Sequence, residues 1–443
     1  MTNLKSGTGR ALLGIAGVVL VLLLVLGARG SGSGRLDRRL LAYRAAGVPT
    51  TIEELDRSVP AVPDGANEAA KLRKEQRDWR RPEGPQQLDY YLLDERIQGI
   101  SRVSTAEIDA VDSNRVRLER LHSISDPRRA RVVLGSPIEF DDGYPMFSFQ
   151  SSFREALGLL RMEFRTERHR QHPDAAARAL VSGLRVLRML EQVPCLAAGL
   201  DHALILDGYL QEVATLLSDG TLSAGSLDAL QHELELHEGS LGLPGIVQGV
   251  RVDALNRYRK SWGATSGTNA PMVAGGPALE RFRRTLLKVF GIPGGDLLRT
   301  LDAMDEFAKG AHLPAEALQR DEPRVLATAG ILGGIRAVVS PSETMNRQLL
   351  HDIWNRHLES VARIRCTRTA VAVERWRQDH HGTIPDRLDR LERLVPGTLA
   401  AIPLQTTDGK PVVYSTTASG YALEAAYGHQ GHASVRLTIQ ATR

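Results

Sequence analysis

Apolar positions along this chain recur at steps of three and four residues until close to its end, where they switch to every second position. The first period predicts helices and the second predicts strands. The strongest helical run begins at Phe153, followed on the same face by Leu157, Leu160 and Phe164. Asp174, just after Pro173, opens the next helix, which is lined by Ala177, Leu180, Leu184, Leu187 and Leu190. After Pro194 come a third helix over Leu196 to Leu217, closed near Asp219-Gly220, and a fourth over Asp228 to Glu238. Connections this short make antiparallel hairpins, and each apolar face needs a partner. A stacked, TPR-like helical layer is therefore expected, without the strict 34-residue self-similarity of a tandem repeat.

Upstream, Leu36 to Ala46 reads as a helix with Leu36, Leu40 and Tyr43 on one face and Gly47 as its C-cap. Thr51 with Glu54 has the spacing of a capping box, and Pro60 and Pro63 close the helix it starts. Lys71 to Pro85 reads as a solvated helix or loop, Leu88 to His122 as helical, and Arg131 to Phe149 as an extended crossing segment. Gly263 to Pro277 is a loop by composition, with amphipathic helices expected over 279–290 and 297–307. Val325 to Val339 is apolar apart from Arg336, too short for a second membrane span, and reads as a buried helix.

The last hundred residues change period. Trp354, Leu358, Ala362, Cys366, Thr369, Val373 and Trp376 form one seam on a long helix that His381-Gly382 ends. Strands are expected at Val412–Tyr414, Tyr421–Glu424 and Ser434–Ile439, with Val435, Leu437 and Ile439 pointing one way. A long helix packed on a small antiparallel sheet satisfies both periods.

At the other end, Ala11 to Ala28 carries no charge over eighteen residues, a helix of about 27 Å against a hydrocarbon core of about 30 Å. The run exceeds the apolar length usual in a cleaved leader, so an uncleaved anchor is favoured over a removed signal peptide. Lys5 and Arg10 flank it on one side, and Arg29, Arg35, Arg38 and Arg39 on the other. Counting cations alone would keep the long domain in the cytoplasm. A short N-terminal tail before a first apolar helix acts as an export signal, and the exported topology is preferred. The arginines then lie near anionic headgroups.

Composition narrows the remaining classes. The net charge is +4, with 56 basic and 52 acidic residues interspersed along helices, so nucleic-acid binding is not expected. Aromatics at 5% argue against stacking platforms for bases or sugars. Cys195 and Cys366 are the only cysteines, which excludes a disulfide framework and a multi-cysteine zinc site.

Two resemblances follow. The order Ala370, Trp376, His381-Gly382, Pro385, Leu388, Leu391, Pro403, Asp408-Gly409-Lys410-Pro411, Tyr414 and Tyr421 resembles the C-terminal half of type II secretion major pseudopilins, over about sixty residues. Leu404-Gln405 departs from that pattern, and neither the calcium loop nor the prepilin processing site is present, so the resemblance implies a borrowed module rather than a pilin subunit. The whole layout is similar to uncharacterised bacterial membrane-anchored helical proteins, through Ala45 to Thr51, Glu54-Leu55, Pro60 to Asn67 and the Phe153–Pro194 helix pair. That family brings no activity with it.

Candidate chemistry is sparse. His232 and His237 in HELELH are five apart, which turns the rings by about 140° and breaks the one-face rule of H-E-x-x-H, leaving a solvated acidic helix end. His169/His172 and His429/His432 have chelating spacing but no third ligand nearby. Gly330 to Gly334 lacks the phosphate-loop lysine, Asp141-Asp142 reads as a polar turn, and Tyr144, Phe147, Phe149 and Phe153 read as core. No residue is assigned as catalytic, cofactor-binding or metal-ligating, and no cofactor is expected.

The expected layout is a tail (1–10), an anchor (11–28), juxtamembrane helices (29–87), a helical domain (88–345) and a pseudopilin-like helix plus sheet (346–443). The expected function is a single-pass envelope interaction or scaffold protein of the bacterial inner membrane, largely extracytoplasmic. It would bind lipid through the N-terminal helix and a protein partner in the envelope, with no small-molecule substrate identified. The alternative is an envelope enzyme, hydrolase-like, with a site between helical layers around Asp141–Phe153. A deep pocket that gathers titratable side chains would favour the enzyme; a broad groove without them would favour the scaffold.

Overall fold

The chain is mainly helical, with one three-stranded sheet near its C-terminus. A computed structural model describes residues 34–76, 103–134, 148–220, 222–240, 242–262, 292–312, 317, 341–394, 411–427 and 433–440. The anchor at 11–28, the loop at 263–277, the segments at 279–290 and 325–339, Gly330–Gly334, Asp141-Asp142, Tyr144, Phe147 and His429/His432 lie outside those residues. Among the described residues no helix is long and apolar enough to cross a membrane.

The chain falls into two compact units. The first takes residues 1–55, 250–307 and 329–348; the second takes 56–249, 308–328 and 349–443.

In the first unit, helix α1 (34–45) buries Leu36 and Tyr43, as its apolar spacing predicts. Gly47 follows at φ +68°, a left-handed turn that suits glycine. Helix α2 (Ile52–Ser58) is capped by Thr51, whose Oγ1 accepts from the Glu54 amide at 3.1 Å. The Glu54 carboxylate reaches one residue further back than a capping box requires, to the Thr50 amide at 2.8 Å and hydroxyl at 2.7 Å.

The second unit holds α3 (Glu68–Gln76), α4 (Thr105–Ser113), α5 (Arg115–His122), α6 (Ser148–His169), α7 (Pro173–Glu191), α8 (Leu196–Asp219) and α9 (Ala224–Ser240). Helix α10 (Leu243–Trp262) begins here and runs on into the first unit, which also holds α11 (Ile292–Gly310) as far as Phe307. Helix α12 (Pro341–Asp379) is followed by α13 (Asp389–Leu394) and strands β1 (Val413–Thr417), β2 (Gly420–Tyr427) and β3 (Ala433–Gln440). The boundary expected near 345 therefore falls inside α12.

Helix α7 is the centre of the layer, packed by α5, α6, α8 and α9. Every seam residue expected on α6 and α7 is buried, from Phe153 at 2% exposure to Leu180, Leu184 and Leu187 at 0%. Pairing fixes the helix directions. Arg154–Asp201 (2.7 Å), Arg161–Glu212 and Arg168–Asp219 (2.6 Å) advance together along both helices, so α6 and α8 run parallel on either side of α7. Asp174 accepts from the Ser223 amide and Ser226 hydroxyl at the start of α9, while Arg188 meets Glu233 further along, so α7 and α9 are parallel too. Helix α12 runs against α9: Arg365 and Arg368 reach Glu238, and Arg375 reaches Asp228.

The sheet is an antiparallel meander, β1-β2-β3, with Tyr421 opposite Ile439 and Leu423 opposite Leu437. It covers α12: the Tyr421 hydroxyl donates to Glu374 Oε1 at 3.0 Å and lies 3.2 Å from the Ala370 carbonyl oxygen. Val435 and Ile439 are buried while Arg436 and Thr438 are exposed, the alternation the sequence predicts. All seven expected α12 seam residues are buried.

Candidate metal centre

Three helices of the second unit bring one carboxylate and two imidazoles to a point. Glu191 is the last residue of α7, His202 lies in the second turn of α8, and His237 lies in the last turn of α9. Pro194 stops α7, and the turn through Cys195 starts α8 beside it, which brings the eleven-residue separation of Glu191 and His202 into contact. Gly242 sits against the Glu191 backbone so closely that any Cβ would collide with its carbonyl, so the start of α10 closes in under the cluster.

Glu191 Oε1 lies 2.9 Å from His202 Nε2 and 3.0 Å from His237 Nδ1. All three side chains are almost sealed from solvent, at 1%, 7% and 0% exposure. The other ring nitrogen of His237 lies 2.8 Å from the Leu184 carbonyl oxygen. A carbonyl only accepts, so His237 Nε2 carries a proton. Nδ1 is then either a second N–H, making the ring a cation, or a lone pair turned toward a carboxylate. His202 Nε2, despite its distance, has no hydrogen bond to a partner in line. Two nitrogens and one oxygen converge, and their ligand atoms all lie within 4.8 Å of one another.

The electrostatics ask for positive charge here. Glu191 sits at a helix C-terminus, where the backbone dipole already presents negative ends. Burial opposes its ionisation, yet the charge of His237 and the close approach of both histidines outweigh that, holding the carboxyl down at about 2.

Beside the cluster lies a cavity of about 40 Å³, lined by Glu191 and His202 and by Ile353, Arg356, His357 and Ser360 of α12. Leu196, Leu200, Leu243 and Ile246 supply its apolar walls. Burial and the neighbouring charge of His202 push His357 down to about 4, so its ring is neutral at pH 7.

Zinc takes His nitrogen and Glu oxygen ligands at about 2.0–2.2 Å, which sets neighbouring ligand atoms about 3.3 Å apart at a tetrahedral angle. The two short separations lie a few tenths of an ångström inside that value. The His237 Nε2–H to a backbone carbonyl is the outer bond that fixes the tautomer of a metal-ligating histidine. The donor set is therefore competent for a divalent cation of the zinc class.

Among the described residues no other group of three or more His, Cys, Asp or Glu converges in this way. His237 was singled out in HELELH, but its partners come from α7 and α8 rather than from His232, which is exposed. That segment is not a solvated helix end: Glu233 is 2% exposed and held by Arg185 and Arg188, and His237 is sealed. His169 and His172 are both exposed, and His172 pairs with Glu167 at 2.8 Å. Phe153 is core, as expected. Glu191, His202 and His357 carry no motif; the visible signal is a lone histidine within the apolar run LAAGLDHALIL.

A second buried constellation has the order of a serine triad. His122 Nδ1 lies 2.8 Å from Ser182 Oγ and its Nε2 lies 3.1 Å from Glu163 Oε1. Ser182 is 1% exposed in the middle of α7, so no substrate reaches it. The group ties α5, α6 and α7 together as a core hydrogen-bond network.

No family model matches this chain, and no curated protein or solved structure matches it either.

Proposed function

We propose that the protein is a metal-dependent enzyme of hydrolytic type, holding one zinc-class divalent cation with Glu191, His202 and His237. The observation that carries this reading is the His237 ring: its Nε2 proton is committed to Leu184, which leaves Nδ1 facing Glu191 Oε1 at 3.0 Å. A divalent cation bound at this point would take the place of a proton on that imidazole and also occupy His202 Nε2, which has no aligned hydrogen-bond partner. Two His and one Glu with a fourth position toward a cavity is the ligand count of catalytic zinc sites rather than of closed structural ones. The enzyme reading is preferred to the scaffold because titratable groups gather round one cavity. The apolar Ala11–Ala28 stretch supports tethering this layer to the envelope membrane, with the stacked hairpins on the extracytoplasmic side.

The test is metal content of the full-length chain purified in mild detergent, stripped with chelator, reloaded with Zn²⁺ and dialysed. One zinc per chain is expected in the wild type and in a His429→Ala/His432→Ala control, with strong loss in His202→Ala and Glu191→Gln. Metal retained equally by all four proteins, or by none, overturns the reading. His202→Ala and Glu191→Gln are checked by circular dichroism for retained helix, so that unfolding is not mistaken for lost ligands.

A further inference from the structure

Beside Glu191 and His202, one face of α12 contributes to the lining of the cavity. Ile353, Arg356, His357 and Ser360 follow each other at steps of three, one and three, the spacing of residues that share a helix face. Three of the four end in hydrogen-bond donors: a guanidinium, an imidazole and a hydroxyl. None of those three makes a hydrogen bond to another described residue, unlike the neighbouring Arg363, Arg365 and Arg368, each of which is paired with an acid. A row of donors lining a cavity, unused among the described residues, is complementary to an acceptor-rich guest. The remaining walls, Leu196, Leu200, Leu243 and Ile246, are aliphatic and suit a short alkyl group. Size bounds the guest: about 40 Å³ corresponds to roughly three water-sized positions, on the order of four heavy atoms.

We infer that this cavity binds a short-chain aliphatic carboxylate, with one oxygen completing the coordination of the cation held by Glu191, His202 and His237 and the other turned to the donors of α12. The inference rests on the metal reading above, for an electrostatic reason. Without a cation, the ionised Glu191 would repel a second carboxylate a few ångströms away in a poorly screened interior. With a divalent cation present, the pair of carboxylates is neutralised and the guest is held from both sides. Arg356 is itself solvent-exposed, so it meets the incoming anion first. Carboxylate recognition by a guanidinium is bidentate and directional, which Lys would not reproduce.

The experiment uses the full-length chain in mild detergent, loaded with Co²⁺ in place of Zn²⁺ so that the visible ligand-field bands report the coordination sphere. Acetate is the probe. The expected result is a saturable change in band position and intensity with acetate and propionate, and none with benzoate, which exceeds the cavity. Arg356→Ala should weaken acetate roughly tenfold, as for loss of one charge-assisted contact, while Co²⁺ affinity measured by chelator competition stays unchanged. Arg356→Lys should recover only part of the loss. Bound Co²⁺ whose spectrum ignores acetate overturns the carboxylate inference and leaves the metal reading standing. Absence of any protein-bound Co²⁺ spectrum overturns both. A benzoate response equal to that of acetate overturns the assignment of this cavity as the binding place.

Discussion

Replacing Glu191 by Gln removes one charge and almost no volume, and the structure states what that charge is worth. Its carboxyl is held at about 2 despite burial, because His237 and His202 favour the ionised form more than desolvation penalises it. Against an ordinary glutamate near 4.5, the depression corresponds to about 3 kcal/mol of stability at neutral pH. A depressed carboxyl contributes that stability above the unfolded-state value and loses it as pH falls toward the folded-state value. The difference between wild type and Glu191→Gln in metal-free protein should thus be about 3 kcal/mol at pH 7 and shrink to about 1 kcal/mol by pH 3. Urea titrations of the full-length chain in chelator, followed by circular dichroism at pH 7 and pH 4 and extended toward pH 3 as far as the native baseline allows, measure it. Equal stability of the two proteins at pH 7, or a gap that widens in acid, would refute the account of a carboxylate clamped by two imidazoles.

Other perturbations test the layer itself. Arg161→Met strands the sealed Glu212, whose carboxyl burial already pushes up against the pull of Arg161, and should cost about 3–5 kcal/mol, whereas Arg161→Met/Glu212→Leu should recover most of it. Gly183→Ala places a Cβ inside the Tyr209 ring, which is held by its hydroxyl bond to the Leu157 carbonyl, and should cost about 1–3 kcal/mol, relieved in part by Tyr209→Leu. Asp174→Ala removes the acceptor for the Ser223 amide and should cost about 1 kcal/mol, with the wild type losing the same contribution in acid because those bonds lower the Asp174 carboxyl. Thermal unfolding of each variant reads these costs.

The helical seams of α6, α7 and α12 and the strand alternation of β3 were legible because one burying face per element leaves a periodic trace. Helix α10 left none: Pro244, Gly245 and Gly249 interrupt its apolar positions, and Gly249 is small because it meets the backbone of Pro194 and Cys195 rather than because the chain bends there. The cluster was illegible for a different reason. Its members are separated by eleven and thirty-five positions, so no spacing rule within one helix joins them. What unites them is the parallel course of α7 and α9, which brings the last turns of both helices to one level, and that is a property of packing rather than of any segment. HELELH shows the limit most directly. The geometric objection to His232 and His237 sharing a metal holds, yet it left unasked which residues His237 meets across the helix interface.

The first unit contains a feature with mechanical meaning. Tyr43 of α1 lies between Arg39 and Arg251, with ring-centre distances of 5.4 and 5.1 Å, and donates its hydroxyl to Asp305 of α11 at 2.7 Å. Arg39 and Arg251 reach the same Asp305, and burial together with that bond pushes the Tyr43 phenol up to about 12. Any force that draws α1 from α11 meets several ionic and aromatic contacts at once, joined through Tyr43 and Asp305. Such a joint yields abruptly rather than stretching, because its contacts share the same two side chains and are lost together.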